Sequence, residues 1–319
     1  MKSVKRIAIV PFPALGDVTI CLRLAQHLTN SGYEVTLFAN LITSATLNFP
    51  WLTLGNLPND PENLISTYDL ILLDVLSPWV KKHLVDLEAS KNILLFTSKN
   101  YSKSLPTKTF SNKDLISQSS GTFTNRPLCL DKNSTKSMVD WVDEYGLEVL
   151  GVKADSSLPA VTFHQPKQVK NLVVVFPTTP NPKKNFSIKG FNKLANQLVS
   201  MGFQVEVIVM PHEKELLEDK FGTINVKTFQ EIAHLIEYLR SAKVVISNDS
   251  GGGHLAAMLG IPTITITRKN KNFVWRPGYN LGNVVSPIIT LKFGGEHIWR
   301  PFISIKKIES ITKKIMRNS

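Results

Sequence analysis

Residues 242–266, AKVVISNDSGGGHLAAMLGIPTITI, constrain the fold of this chain more than any other stretch. A β-branched run (Val244, Val245, Ile246) ends in Asn248-Asp249-Ser250, and Gly251, Gly252 and Gly253 follow. An amphipathic stretch over 254–259 comes next, and Pro262 opens a second apolar run. The pattern predicts strand, glycine turn, helix, strand. Glycines at such a turn let backbone N–H groups approach a ligand closely, and the helix beginning there adds the positive end of its dipole. The unit is therefore suited to hold an anion, most simply a phosphate, with Ser250 as helix cap or phosphate donor. Taken by itself, the same turn is equally consistent with glycines needed for backbone geometry alone.

The alternation extends from end to end. Apolar runs at 6–10, 34–38, 70–74 and 92–96 read as strands, and 18–30, 78–89 and 137–147 read as helices. A polar stretch over 98–137 reads as a long loop. A second series runs through a strand at 172–176, a helix at 188–200, a strand at 204–209 and helices at 212–221 and 230–241, up to the glycine turn. Repeated βα units imply parallel sheets covered on both faces, and 319 residues exceed the usual single core. The expected organisation is α/β: a doubly wound, Rossmann-like domain over 1–155, a linker over 156–170 and a second such domain over 171–319 ending in a basic helix. Their carboxyl strand ends would face each other across a cleft.

Composition narrows the function classes. A hydrophobic share of 43% with 19% charged residues supports packed cores rather than disorder. Cys21 and Cys129 are far apart and lack metal-ligand spacing, so they read as incidental thiols in a reducing compartment. Lys2, Lys5 and Arg6 precede an apolar run, but Pro11, Pro13 and Asp17 interrupt it, so it reads as a first strand rather than a signal peptide. No uncharged apolar run reaches the roughly 18 residues that suggest a bilayer span. The net charge is +12, and the tail alone sets Lys306, Lys307, Lys313, Lys314 and Arg317 against Glu309. That balance favours an acidic partner without choosing between membrane surface, nucleic acid and phosphorylated glycan.

Chemistry-bearing residues fall at predicted carboxyl strand ends. Asp17 follows the first strand at the start of a helix and reads as a helix cap or as a general base kept ionised by helix amides. Thr178, Thr179 and the Lys183-Lys184 pair follow the first strand of the second half, where hydroxyls and an ammonium together would neutralise a diphosphate. Glu213, in Pro211-His212-Glu213, reads as an acceptor for ribose hydroxyls or as a helix first-turn acid. His254 reads as a ligand contact or as a partner for local backbone groups. No His/Cys/Asp/Glu set has metal spacing. A Gly-x-Ser-x-Gly elbow, a phosphate-loop lysine motif and a Gly-x-Gly-x-x-Gly after the first strand are likewise missing from the sequence, which weighs against simple nucleotide hydrolysis and nicotinamide binding.

The ordered set resembles the heptosyltransferase family of glycosyltransferases, family nine, of the two-domain GT-B type. Four features carry the resemblance: the Gly16-Asp17 turn, Lys184 before Phe186 and a helix, Pro211-His212-Glu213, and the block from Asn248 to Ala257. Thr267-Arg268-Lys269 stands where the family usually has Gly-Pro-Thr, and Phe186-Ser187 replaces an aromatic-Pro pair. The resemblance implies an inverting, metal-independent transfer from a nucleotide diphosphosugar, an ADP-heptose by family habit, to an anionic glycan or glycolipid such as lipopolysaccharide core. Asp17 would deprotonate the acceptor. Thr178, Thr179, Lys184, Glu213, Asp249, Ser250, Gly251, Gly252, Gly253 and His254 would bind the donor. No metal or other cofactor and no nucleic acid partner is implied, and the enzyme would be cytoplasmic, with contact at the inner membrane face. Two other classes stay open. A sugar-nucleotide epimerase would need acid/base groups on both faces of a sugar, for which only Asp17 stands out; a non-catalytic anion- or glycan-binding protein would need no base.

Overall fold

The computed structural model describes residues 5–83, 87, 90, 92–98, 126–128, 134–155, 157–165, 171–269 and 271–318. The chain divides into two compact units, Met1–Thr162 and Phe163–Ser319.

In the first unit, strands β1 (Arg6–Val10), β2 (Glu34–Phe38), β3 (Thr53–Gly55), β4 (Leu70–Asp74), β5 (Ile93–Thr97) and β6 (Arg126–Pro127) form one sheet in the order β3-β2-β1-β4-β5-β6. Every pairing is parallel. The near-continuous apolar runs of β1, β4 and β5 follow from this, because a parallel sheet is covered on both faces and neither side of a strand meets water. Ala8, Val10, Ile71, Leu73, Ile93 and Leu95 share one core cluster with Leu64 and Val80. Helices α1 (Leu15–Asn30), α2 (Glu62–Thr67), α3 (Pro78–Lys82) and α4 (Met138–Glu148) belong to this unit. α4 starts on a capping box in which the Ser137 hydroxyl and Asp140 carboxylate serve each other's backbone amides.

A buried ion cluster ties α4 to α1. Arg23 makes a two-pronged contact to Asp143, Nε to Oδ1 at 2.8 Å and Nη2 to Oδ2 at 2.9 Å, and also donates to the carbonyls of Asp155 and Ser157. His27 lies 2.7 Å from the same Asp143 oxygen. Burial alone would raise the Asp143 pKa, but the hydrogen bonds from His27 and Arg23 outweigh it and hold the carboxyl below its usual range.

In the second unit, β7 (Leu172–Phe176), β8 (Gln204–Ile208), β9 (Asn225–Lys227), β10 (Ala242–Asn248), β11 (Thr263–Ile266) and β12 (Gly282–Val285) form a second parallel sheet in the order β12-β11-β10-β7-β8-β9. A two-stranded hairpin, β13 (Leu291–Phe293) with β14 (Glu296–Ile298), follows it in the chain. The helices are α5 (Ile188–Ser200), α6 (Lys214–Phe221), α7 (Ile232–Leu239), α8 (Gly251–Met258) and α9 (Ile305–Asn318). In α9, Ile305, Ile308, Ile311 and Ile315 recur at helical spacing and pack onto the sheet core beside Trp299.

Three expectations change in detail. α1 begins at Leu15, one turn earlier than the sequence periodicity suggests, because Ala14 and Gly16 carry no periodic signal. Gly251, Gly252 and Gly253 are the first turn of α8 and do not form a loop before it. Helical structure after Ser77 is described as Pro78–Lys82, with the rest of 78–89 outside the described residues apart from His83 and Leu87. Cys129 and most of the polar stretch 98–137 also lie outside them. Among the described residues, no helix is long and apolar enough to cross a membrane.

Candidate active site

Each sheet reverses its strand order once, and open α/β sheets bind ligands at that reversal, beyond the carboxyl strand ends. In the first unit the reversal lies between β1 and β4; in the second, between β7 and β10. The candidate residues gather at these two places.

After β1, Asp17 is the third residue of α1 and is 8% exposed. Ala14 occupies the cap position and makes no side-chain cap bond, so Asp17 is not the N-cap. It sits where the amides of the first turn favour a carboxylate. Ser98, just past β5, directs its hydroxyl at Asp17 Oδ1 and, at 2.8 Å, at Asp74 Oδ2 on the end of β4. The Ser98 amide also donates to Asp74 Oδ2 at 3.2 Å, and Leu76 N donates to Asp74 Oδ1 at 2.8 Å. Asp17 and Asp74 are thus bridged by one hydroxyl at the reversal point. Burial first, then the charges of Asp74 and Asp17, push the neighbouring Cys21 thiol up, which keeps it protonated and inert.

In the second unit, Asn248 at the end of β10 is fully buried and joins two loops. Its Oδ1 accepts from Phe186 N at 2.8 Å and its Nδ2 donates to the Pro177 carbonyl at 2.7 Å. The loop that follows β7 is thereby fastened to the start of α8. On that loop the Thr178 hydroxyl donates to Glu213 Oε2 at 2.8 Å, and Met210 N donates to the same oxygen at 3.0 Å. Thr179 donates to Asn185 Oδ1 at 2.7 Å, bracing the turn that carries Lys184. Arg300 braces it from outside, through bonds to the carbonyls of Asn185 at 2.6 Å and Pro182 at 2.9 Å. Thr178, Asn185, Phe186, Glu213 and Arg300 line a shallow cavity of about 290 Å³.

Lys184 Nζ reaches Asp249 Oδ2 at 3.1 Å, and Lys269 Nζ approaches the same oxygen at 3.6 Å. Ser250 caps α8 by accepting from Gly253 N at 3.4 Å. A methyl group on Gly252 would lie 3.0 Å from the Phe176 ring, and one on Gly253 would lie 2.4 Å from Ser247 Oγ. The absence of a side chain at these two glycines therefore lets α8 pack closely onto β7 and β10. His254 is buried, with its ring 5.7 Å from that of Trp275. Burial lowers its pKa; nearby Lys184 adds to this, while Asp249 and the Trp275 backbone oppose it, so the imidazole is neutral at pH 7.

All ten candidate donor residues follow β7, β8 or β10 in the chain, six in the connections after these strands and Gly251, Gly252, Gly253 and His254 at the start of α8. Asp17 lies in the other unit, with Asp74 and Ser98. Asp74, Ser98, Asn248 and Arg300 escaped sequence reasoning as functional candidates. Only Asp74 carried a readable signal, a carboxylate closing an apolar strand. Among the described residues, no group of three or more His, Cys, Asp or Glu side chains could hold a metal ion.

Residues 135–290 match the sequence profile of glycosyltransferase family 9 (heptosyltransferase). No curated protein sequence matches the chain significantly. Among solved structures, the family 9 glycosyl transferase from Veillonella parvula is 15% identical, with a TM-score of 0.71 over 100% of this chain and 99% of that one. The E. coli ADP-heptose lps heptosyltransferase II is 15% identical, with a TM-score of 0.69 over 98% of this chain and 99% of that one. E. coli heptosyltransferase WaaC with ADP is 15% identical, with a TM-score of 0.65 over 97% of this chain and 99% of that one. The family 9 match spans residues 135–290, just under half of the chain, and the fold resembles that of the heptosyltransferase structures along its whole length, which together support a glycosyltransferase.

Proposed function

We propose that the protein transfers a sugar, a heptose by its likeness to the family, from an ADP-sugar to a hydroxyl of an anionic glycan or glycolipid, with inversion and without a metal. The observation that carries this reading is the gathering of Thr178, Lys184, Glu213, Asp249 and the α8 amides at one sheet reversal, inside the residues that match the family profile. Such a set suits a nucleoside diphosphate: ammonium groups and amides for the phosphates, and a carboxylate for ribose hydroxyls. Asp17 accepts the proton of the acceptor hydroxyl as its oxygen forms the new bond to the anomeric carbon. The bond from that carbon to the diphosphate breaks, and the nucleoside diphosphate leaves with the electron pair. Negative charge grows on the phosphates in that step, which is where preorganised donors act most strongly.

The outer face of α9 fits the acidic acceptor or the membrane that presents it. Lys306, Lys313, Lys314 and Arg317 line a surface depression there, with Glu309 and Ser310. This supports contact with an anionic surface, in keeping with work at the inner membrane face.

The test is nucleotide release from a panel of ADP-, UDP-, GDP- and dTDP-sugars, with and without a core glycan acceptor, in chelator. Release should require the acceptor and survive chelation. Asp17→Asn should keep ADP affinity and lower turnover by about 10²- to 10⁴-fold, the range for one positioned acid/base group. Near-normal turnover of that variant would remove Asp17 as the base, and loss of activity in chelator would refute the metal-free mechanism.

A further inference from the structure

We propose that Lys269 is a second diphosphate-binding cation of the donor subsite, and that without it the Asp249–Lys184 pair beside the first turn of α8 carries no net charge. The inference rests on the donor reading above and adds a residue to it.

Charge bookkeeping at the subsite carries the argument. The Asp249 side chain is 6% exposed and pairs with Lys184 at 3.1 Å. A carboxylate this close to the α8 first turn repels the phosphates the turn would hold, and one ammonium only cancels it. His254 adds nothing, being neutral. The second ammonium, Lys269 at 3.6 Å from the same Asp249 oxygen, makes the cluster net positive.

Lys269 is also built into place. β11 pairs in parallel with β10, with Ile266 opposite Asn248, so the residues just beyond both strands share one sheet edge. The Lys269 amide donates to the buried Thr267 hydroxyl at 3.3 Å, and its ammonium lies 5.0 Å from the centre of the Phe273 ring. Two contacts thus aim the side chain at Asp249. Both lysine side chains remain 42% exposed, so neither is sealed from solvent.

The experiment is calorimetric titration of the full chain with ADP, AMP and pyrophosphate, the last probing the diphosphate independently of the base. Lys269→Ala should weaken ADP and pyrophosphate by about tenfold or more, the scale of losing one charge-assisted contact, and AMP by less than about threefold. Lys269→Arg should retain ADP within about threefold, since charge and reach survive. Arg268→Ala, an exposed neighbour with a charge of the same sign, should leave ADP binding as it is. Unchanged ADP affinity in Lys269→Ala, equal losses for ADP and AMP, or an equal loss in Arg268→Ala would each overturn the proposal and leave the donor reading standing. Failure of the wild-type protein to bind either ADP or pyrophosphate would overturn the donor reading and this inference together. Melting curves of each variant verify that the chain remains folded.

Discussion

Replacing Asn248 with Ala should cost the C-terminal unit more than most single substitutions, because one buried amide satisfies two backbone groups. The variant leaves Phe186 N–H and the Pro177 carbonyl without the partners they have at 2.8 and 2.7 Å. An orphaned buried polar group costs about 1–3 kcal/mol, so the pair costs about 2–6 kcal/mol. A unit of this size loses roughly 2–4 °C per kcal/mol, which puts the fall in its melting temperature at about 4–24 °C. Differential scanning calorimetry, with urea unfolding followed by the fluorescence of Trp275 and Trp299, reads it. ADP affinity should fall with it, since the β7 loop carrying Thr178 and Lys184 is no longer fastened to α8. Asn248→Asp isolates the donor half of the clamp. The carboxylate still accepts from Phe186 N–H but faces the Pro177 carbonyl with a lone pair, so the variant should recover stability relative to wild type as acid protonates it. A melting temperature within about 2 °C of wild type for Asn248→Ala would refute the reasoning, because fully buried groups with no other partner cannot lose both bonds so cheaply.

Two further outcomes follow from buried ionisable groups. The His254 pKa is depressed in the folded chain, so the unfolded chain binds its proton first; the contribution to stability is complete above about pH 6.5 and declines below it by at most about 1.4 kcal/mol per pH unit. Urea unfolding between pH 7.5 and 5.5 should show a shallower pH dependence in His254→Gln than in wild type, and identical slopes would contradict the assignment. Arg23→Ala should destabilise the N-terminal unit by about 3 kcal/mol, the lower end for breaking a buried pair, because the Asp143 side chain keeps 26% exposure. A loss under about 1 kcal/mol in urea unfolding would mean that solvent already screens the pair.

The long parallel strands were legible because burial on both faces leaves unbroken apolar runs. β1, β2, β4 and β7 fall where those runs lie, as does α5 with its regular apolar stripe. The short strands β3, β9 and β12 were not legible. TLG, NVK and GNVV are too brief to show a period, and only pairing with a longer neighbour makes them strands. The donor residues could be read as a set because each follows a strand, so topology alone brings them to one edge. The groups that hold them there could not. Asn248 looks like a turn residue until its two partners 62 and 71 positions away are known, and Ser98 borders a stretch with no pattern of its own. Trp299 had no periodic signal around it and is buried in the same core cluster as Ile308 of α9.

Arg300 and α9 have a consequence for the order of events during synthesis. The strands and loops that bear Thr178, Lys184, Glu213 and Asp249 all leave the ribosome before Arg300, which tightens the Lys184 turn, and before the isoleucines of α9, which close the face of the sheet. Until then the growing chain presents an uncovered β10–β12 face and a Lys184 turn braced only from within, by Asn248 and Thr179. The donor subsite therefore matures only after Arg300 and α9 have been made, and a chain cut short before residue 300 would lack both the clasp and the cover whatever the integrity of the residues that touch the ligand.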